Sequence, residues 1–178
     1  MIIGLCGYKG SGKTTLCNYL KLHISQSINH IGFADPLYKM LAAMGVEGVY
    51  DKKQWDVPQE ILNGKTIRYA CQTLGTEWGR TYFGENIWAE IAVKKALMSK
   101  KPTIIDNVRY LSEYQAIVNS GGKVISFNAN NDDIPDLSHT SESEIQNVKP
   151  LCHYTFTNDF TQSVESNALE LYKLIMRI

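Results

Sequence analysis

Gly7-Tyr8-Lys9-Gly10-Ser11-Gly12-Lys13-Thr14 lies between a first apolar run, Ile2–Cys6, and a segment of helical spacing that starts at Lys13. The stretch satisfies G-x-x-x-x-G-K-[ST], and it does so in the strand-then-helix setting where that pattern has a mechanical meaning. Glycines let the backbone curl until successive N–H groups point inward, and the helix that follows adds its positive end. The product is a cradle for a polyphosphate. Gly10, Ser11, Gly12, Lys13, Thr14 and Thr15 are the expected triphosphate contacts. Lys13 would reach the outer phosphates, and the Thr14 hydroxyl would ligate Mg²⁺. The plain alternative, a glycine-rich turn with a lysine there by chance, is disfavoured because motif and context are met together.

Outward from this loop, short apolar runs alternate with helix-period segments, the pattern of a parallel sheet covered by helices on both faces. Strands are expected at Ile2–Cys6, His30–Phe33, Thr103–Asp106, Lys123–Phe127 and His153–Thr157. Helices are expected at Lys13–Ser25, Pro36–Met44, Thr66–Gly79, Ile87–Lys100, Ser112–Ser120 and Gln162–Met176. Ser112-x-x-Gln115 has the form of a capping box, with Gly121-Gly122 as the stop. In the last helix Val164, Ala168, Leu171 and Ile175 make one apolar stripe. The polar, turn-rich stretches Gly45–Lys65 and Asn128–His139 read as loops or lids.

Length and composition bound the rest. The 178 residues, 44% of them hydrophobic, suit one core and one domain. Charge balances at 18 basic against 18 acidic residues, which argues against a nucleic-acid polymer as partner. Cys6, Cys17, Cys71 and Cys152 lack metal-ligand spacing, no charged leader precedes Met1-Ile2-Ile3, and no apolar run is long enough to span a membrane. The expectation is free thiols, no membrane association and a cytoplasmic protein.

Two further features carry chemistry. Thr103-Ile104-Ile105-Asp106 puts a carboxylate at the end of a buried strand, suited to a metal-bound water or an acceptor; the bland reading is a carboxylate capping the next turn. Four of the basic residues are arginines, Arg68, Arg80, Arg109 and Arg177. Guanidinium forks hold phosphates in two-point contacts, so the first three are candidates; Arg177 reads as a helix-end charge. In the helix near Thr66, an apolar stripe of Ile67, Ala70, Cys71, Leu74 and Trp78 leaves Arg68, Gln72 and Gly75 together on another face, open to a ligand or simply to solvent. Trp88 could stack on a base or belong to the core.

Taken in order, these segments resemble the deoxynucleoside monophosphate kinases of tailed bacteriophages, a branch of the P-loop kinases. The likeness rests on the loop through Thr15, on Phe33-Ala-Asp35-Pro36-Leu, and on Arg68-x-x-x-Gln72-x-x-Gly75-Thr76-Glu-Trp-Gly-Arg80. It continues through Gly84-Glu85-Asn-Ile-Trp88, Val108-Arg109-Tyr-x-x-Glu113, His139-Thr-Ser141-Glu142 and Thr157-Asn158-Asp159. It implies a three-layer α/β/α sandwich with a mainly parallel five-stranded sheet, an acceptor-binding insertion at about 35–100 and a lid at about 128–147. The implied reaction moves the ATP γ-phosphate, with Mg²⁺, to a deoxynucleoside monophosphate. Asp35, Arg68, Gln72, Gly75, Thr76, Trp88, Asn107, Arg109 and Glu113 would serve the acceptor. Lys13, Arg109 and Asp106 would serve transfer, Asn158 would border the ATP base, and His139-x-Ser141-Glu142 would be a lid or nucleotide contact. The partners implied are the two nucleotides, with room for a homodimer, and the host cytoplasm as location if the chain is viral.

Three positions depart from that family's usual pattern. Thr14 stands where Asp is common, Asn107 where Asp precedes the Val-Arg pair, and Tyr38, followed by Lys39, where Lys is common. Neighbouring strand residues face opposite ways, so Asp106 cannot simply occupy the place of Asn107. A P-loop kinase for another small acceptor, such as a coenzyme precursor or sugar acid, and a weakly active nucleotide-binding module both stay open on sequence.

Overall fold

The computed structural model of the protein describes residues 1–25, 27–130 and 140–178, the side chains of 140–143 excepted. Five strands, β1 (Ile2–Cys6), β2 (Asn29–Ile31), β3 (Thr103–Val108), β4 (Lys123–Ala129) and β5 (Tyr154–Asn158), pair in the order β2-β3-β1-β4-β5. Every pairing is parallel. β1 therefore stands at the centre, with chain running to β3 on one side and β4 on the other. A loop leaving its carboxyl end opens at the switch point where α/β sheets hold ligands.

The helices are α1 (Lys13–Tyr19), α2 (Asp35–Ala43), α3 (Ile67–Gln72), α4 (Thr81–Phe83), α5 (Ile87–Met98), α6 (Leu111–Asn119), α7 (Thr140–Val148) and α8 (Val164–Arg177). The chain forms two compact units, Met1–Gly32 with Ala92–Ile178, and Phe33–Ile91.

In the sheet unit, Ile3 and Leu5 of β1 face Leu16 and Cys17 of α1, Leu20 just beyond it, and Ala168, Leu171 and Ile175 of α8. These side chains are essentially fully buried, and each large one contributes about 1.5–3 kcal/mol of apolar transfer. Val164 does not join the α8 stripe: it lies in the first turn and is exposed. The opposite sheet face requires Gly4, because a Cβ there would come within 2.8 Å of Ile117 Cδ1 on α6. The arrangement is the three-layer α/β/α sandwich of the P-loop fold.

The start of α6 differs from expectation. The helix begins at Leu111, and Glu113 rather than Gln115 closes its first turn, its Oε2 accepting from the N–H groups of Arg109 at 2.8 Å and Tyr110 at 3.2 Å. A carboxylate in the first turn satisfies orphan donors and complements the helix dipole better than a neutral amide. The expected stop is present. Gly121, at φ 79°, donates to Val118 O at 2.9 Å and Gly122 donates to Ile117 O at 2.9 Å, the paired bonds of a Schellman motif.

The helical unit has its own core of Leu41, Val46, Val49 and Ile67, with Tyr38, Trp55, Leu62, Ala70, Cys71 and Leu74 against it. Thr66 caps α3 by accepting from Tyr69 N–H at 3.1 Å. From Thr73 to Arg80 the helix widens to i→i+5 bonding, a π-type stretch, before α4. More residues per turn rotate the later side chains away from the 3.6-residue stripe. Trp78, expected on that stripe, is 41% exposed, while Gly75 and Gly79 turn inward and are buried.

Candidate active site

On the sheet unit, the loop between β1 and α1 turns twice through left-handed backbone, at Gly10 (φ 85°) and Gly12 (φ 86°). Side chains at these positions would be strained, which suits glycine at both and accounts for the glycine that the motif fixes at Gly12. Within the curl the Lys13 ammonium folds back on the loop itself, donating to Gly7 O at 2.8 Å, Tyr8 O at 2.7 Å and Ser11 Oγ at 2.9 Å. These neutral oxygens stand where an anion's oxygens would compete for the same charge. Ser11 is buried and its hydroxyl donates to Tyr8 O at 2.9 Å. Thr15 is exposed on α1.

The Thr14 hydroxyl donates to Asp106 Oδ2 at 2.7 Å, joining the first turn of α1 to β3. His30 of β2 approaches the same oxygen, Nε2 to Oδ2 at 3.2 Å. The contact follows from strand order, since β2 and β3 are neighbours and His30 is in register with Ile104. Burial pushes the Asp106 carboxyl upward, but the His30 hydrogen bond and charge, the Thr14 hydroxyl and the Lys13 charge together hold it below the ordinary carboxylate value. A hydroxyl and an ionised carboxylate side by side beyond a phosphate cradle are two hard oxygen donors, which fits Mg²⁺. Asn107, the next residue, is half-buried on β3, and Arg109 and Glu113 follow around the start of α6. Sequence reasoning singled out Thr14 and Asp106 but not His30, which only the pairing of the edge strand β2 with β3 brings to Asp106.

Asn158, at the end of β5, is buried and donates from Nδ2 to Ser11 O at 3.1 Å. It packs so closely on Gly12 that a Cβ there would collide with its amide, and Phe160 also borders that glycine. The turn beyond is held by Asp159, whose carboxylate accepts from Thr161 N–H at 2.9 Å and Thr161 Oγ1 at 2.7 Å and from the Asn130 amide. These bonds, Thr161's first, lower its pKa to about 2. Asn158 thus braces the phosphate loop. His139 lies outside the described residues, as do the side chains of Ser141 and Glu142.

On the helical unit, Arg68 donates to Asp56 through Nε at 2.6 Å and Nη2 at 2.8 Å, a two-point fork, with its guanidinium 5.7 Å over the Trp55 ring. Both side chains are solvent-accessible, at 43% and 67% exposure. Asp56 raises the Arg68 pKa further still, so the guanidinium is permanently charged. Gln72 and Thr76 are exposed, Asp35 is half-buried at the start of α2, and Gly75 is packed on Leu37. Trp88 is 6% exposed; its indole N–H donates to Gly75 O at 2.7 Å and its ring lies against Gly79 too tightly to admit a Cβ. Trp78 stands 6.4 Å from it, tilted by 35° and more exposed. Trp88 therefore sits in the wall of the unit, fixing the two glycines where the π-type stretch brings them. Asp56 escaped sequence reasoning because nothing in Asp56-Val57-Pro58 marks it as a partner for a residue on α3.

No family model matches the chain. In structure it is similar to shikimate kinase from Acinetobacter baumannii, with a TM-score of 0.52 over 99% of this chain and 93% of that one at 14% identity. That likeness concerns the fold alone. In sequence it is 32% identical, over 175 residues covering 84% of each chain, to the "Putative deoxynucleotide monophosphate kinase" of Acanthamoeba polyphaga mimivirus. With the loop, its lysine and the threonine-aspartate pair in place, the chain belongs to the same family as that viral protein, among the P-loop kinases.

Proposed function

We propose that the protein transfers the γ-phosphate of ATP to a deoxynucleoside monophosphate, giving ADP and the deoxynucleoside diphosphate. The observation that carries the acceptor class is the Arg68 fork. An arginine already gripping a carboxylate in two-point fashion, on a surface with Gln72, Thr76 and exposed Trp78, has the chemistry to take a nucleotide's phosphate. The relative's name supports the same substrate class.

In this reading the loop N–H groups and Lys13 hold the β- and γ-phosphates of ATP, and Asn158 keeps the loop in shape. Lys13 leaves its carbonyl partners for phosphate oxygens. Thr14 and Asp106 would hold Mg²⁺, which when bound neutralises charge on the β- and γ-phosphates. His30 orients Asp106 by occupying one of its oxygens. Arg68, Gln72 and Thr76 hold the acceptor, with Asp35 at the start of α2 and with Gly75, buried against Leu37, and Trp88 as support rather than contacts. Arg109, with its backbone fixed by Glu113, supplies the second guanidinium, for the transferred group. An acceptor phosphate oxygen then forms a bond to the γ-phosphorus as the bond to the β-bridging oxygen breaks. Lys13, Arg109 and Asp106 are the groups closest to the chemistry in this assignment.

A coupled ADP-release assay with each deoxynucleoside monophosphate, the ribose forms, shikimate and gluconate as acceptors tests the reading. ADP release that depends on one or more deoxynucleotides is expected. Turnover with a sugar acid alone, or ATP binding without turnover on any acceptor, would sink it.

A further inference from the structure

Asn158 holds the later half of the phosphate loop, at Ser11 and Gly12. The earlier half is held from the neighbouring strand, β4. The Phe127 carbonyl presses on Gly7 so closely that a Cβ there would collide with it. Asn128, the next residue, accepts through Oδ1 from the Lys149 ammonium, and that ammonium lies 5.0 Å from the centre of the Tyr8 ring, over its face. Lys149 opens the 3-10 turn Lys149–Leu151 that follows α7. Between the two held halves stands Gly10, at φ 85°, where a Cβ would meet no described atom within 4 Å.

Tyr8 fills one of the four variable positions of the loop motif, so the pattern gives it no part. Its backbone is nevertheless the hub of the loop. The Tyr8 carbonyl accepts from the Lys13 ammonium at 2.7 Å, from the Ser11 hydroxyl at 2.9 Å and from the Ser11 N–H at 3.3 Å. When phosphate oxygens take over Lys13, the first of these bonds is lost. The ring contact with Lys149 uses no atom that a phosphate engages, so it can persist through that exchange. Lys149 is suited to such a contact. It is half-buried, and its charge rests on a neutral amide oxygen and an aromatic face; among the described residues no carboxylate forms an ion pair with it. A partly desolvated ammonium is drawn to a ring face more strongly than one in open water.

We propose that Lys149 is a positioning residue for nucleotide binding: it clamps the Tyr8 ring and so keeps the first half of the loop in its phosphate-receiving form, both before and after Lys13 moves to the nucleotide. The proposal rests on the reading of this loop as the ATP site. Loop N–H groups bind phosphate only while they converge, and a loop that spends part of its time in other forms binds more weakly in proportion to the fraction lost. Releasing the clamp forfeits the cation–π attraction, a cost of about two- to tenfold in affinity. The β-phosphate depends on the loop as much as the γ-phosphate does, so ATP and ADP weaken together.

The test is calorimetric titration of the full chain with Mg-ATP and with Mg-ADP. Lys149→Met keeps the apolar stem and removes the charge; it should raise both dissociation constants by the same factor, about two- to tenfold. Lys149→Arg and Tyr8→Phe, which keep a cation and a ring, should stay within about twofold of the unmodified protein. Tyr8→Leu should weaken both nucleotides as Lys149→Met does. Combining Tyr8→Leu with Lys149→Met should cost no more than the worse of the two alone, since each removes the same contact. Lys173→Met, which removes an exposed charge on α8, should change neither affinity. A loss confined to ATP would make Lys149 a contact of the γ-phosphate and overturn the clamp. Additive losses in the double variant would overturn it too, as would a Lys149→Met protein that melts earlier but binds both nucleotides as before. If the unmodified protein binds neither nucleotide, the reading of the loop fails and takes the clamp with it, whereas binding that Lys149→Met leaves intact overturns the clamp alone.

Discussion

Lys13 on the sheet unit and Arg68 on the helical unit are both cations suited to phosphate, and the two are held in opposite ways. Lys13 rests on two carbonyls and a hydroxyl of its own loop, all neutral and all within six residues. Arg68 rests on a carboxylate twelve residues away, in an exposed fork. In the proposed reading the hydrogen-bond partners that a triphosphate displaces at Lys13 are dipoles, and the loop that supplies them is the loop that binds it. An acceptor that binds at Arg68, as proposed, competes with a full negative charge there. On the proposed assignment the donor side is built ready, and the acceptor side opens by exchanging one anion for another.

The hardest blow to this contrast is Lys13→Met. If the loop depends on that single charge, turnover should fall about 10²- to 10³-fold, the scale seen when one preorganised donor to a developing charge is removed. ATP-induced thermal stabilisation should fall with it, while the unliganded melting temperature stays near its original value because the lost bonds are to loop groups that water can satisfy. Full ATP binding by the variant would show that the backbone cradle alone suffices.

Asp106→Asn comes next. Losing the carboxylate opposite Thr14 should cost roughly 10²-fold in turnover, recovered in part by raised Mg²⁺, on the same scale as loss of one electrostatic partner. The substitution also has a signature in acid, measured without metal. The folded carboxyl binds its proton more weakly than the unfolded one at 3.8, so its stabilisation is complete above that pH and is lost as pH falls through the lower folded value. Urea midpoints of the two proteins should therefore differ near neutrality and converge below about pH 4. A constant gap down to strong acid would show that the Thr14 and His30 contacts do not favour the ionised form.

How much of this could be read from residues alone follows the same divide. The loop is local: glycines at fixed offsets, a lysine and a threonine supply almost the whole geometry, so Gly7–Thr14 announces itself. Asp106 is one step harder, because it meets Thr14 across 92 residues, but a carboxylate ending a buried apolar strand is still a pattern. His30 has none; only the placement of β2 beside β3 brings it to Asp106. In the helical unit the pattern misleads. A 3.6-residue stripe is legible from Ile67 to Leu74 and fails at Trp78, because the change to i→i+5 bonding is a tertiary outcome that composition does not mark. Val164 fails for a simpler reason, lying in the first turn beyond the edge of the core.

Trp88→Phe asks whether the helical unit's rigid part matters to the acceptor. The ring volume is largely kept and the bond to Gly75 O is lost, leaving a buried carbonyl one partner short. Stability should drop by about 1–2 kcal/mol, read from urea unfolding, with a rise in acceptor KM and none in ATP KM. An unchanged acceptor KM would confine Trp88 to a purely structural part.

The smallest effect is the most telling, because it should improve the enzyme. Asp56→Ala removes the anion that Arg68 now holds. An exposed pair of this kind is worth about 0.2–1 kcal/mol, so relieving the competition should lower acceptor KM by no more than about fivefold and leave ATP KM and Lys13 untouched. The gain should shrink as salt rises and screens both anions alike. Arg68→Ala supplies the opposite sign, raising acceptor KM, and in that background Asp56→Ala should leave acceptor KM unchanged, since the effect of Asp56 on the acceptor runs through Arg68. Were Asp56→Ala instead to weaken the acceptor, the carboxylate would be orienting Arg68 rather than occupying it, and the acceptor side would be as ready-made as the loop.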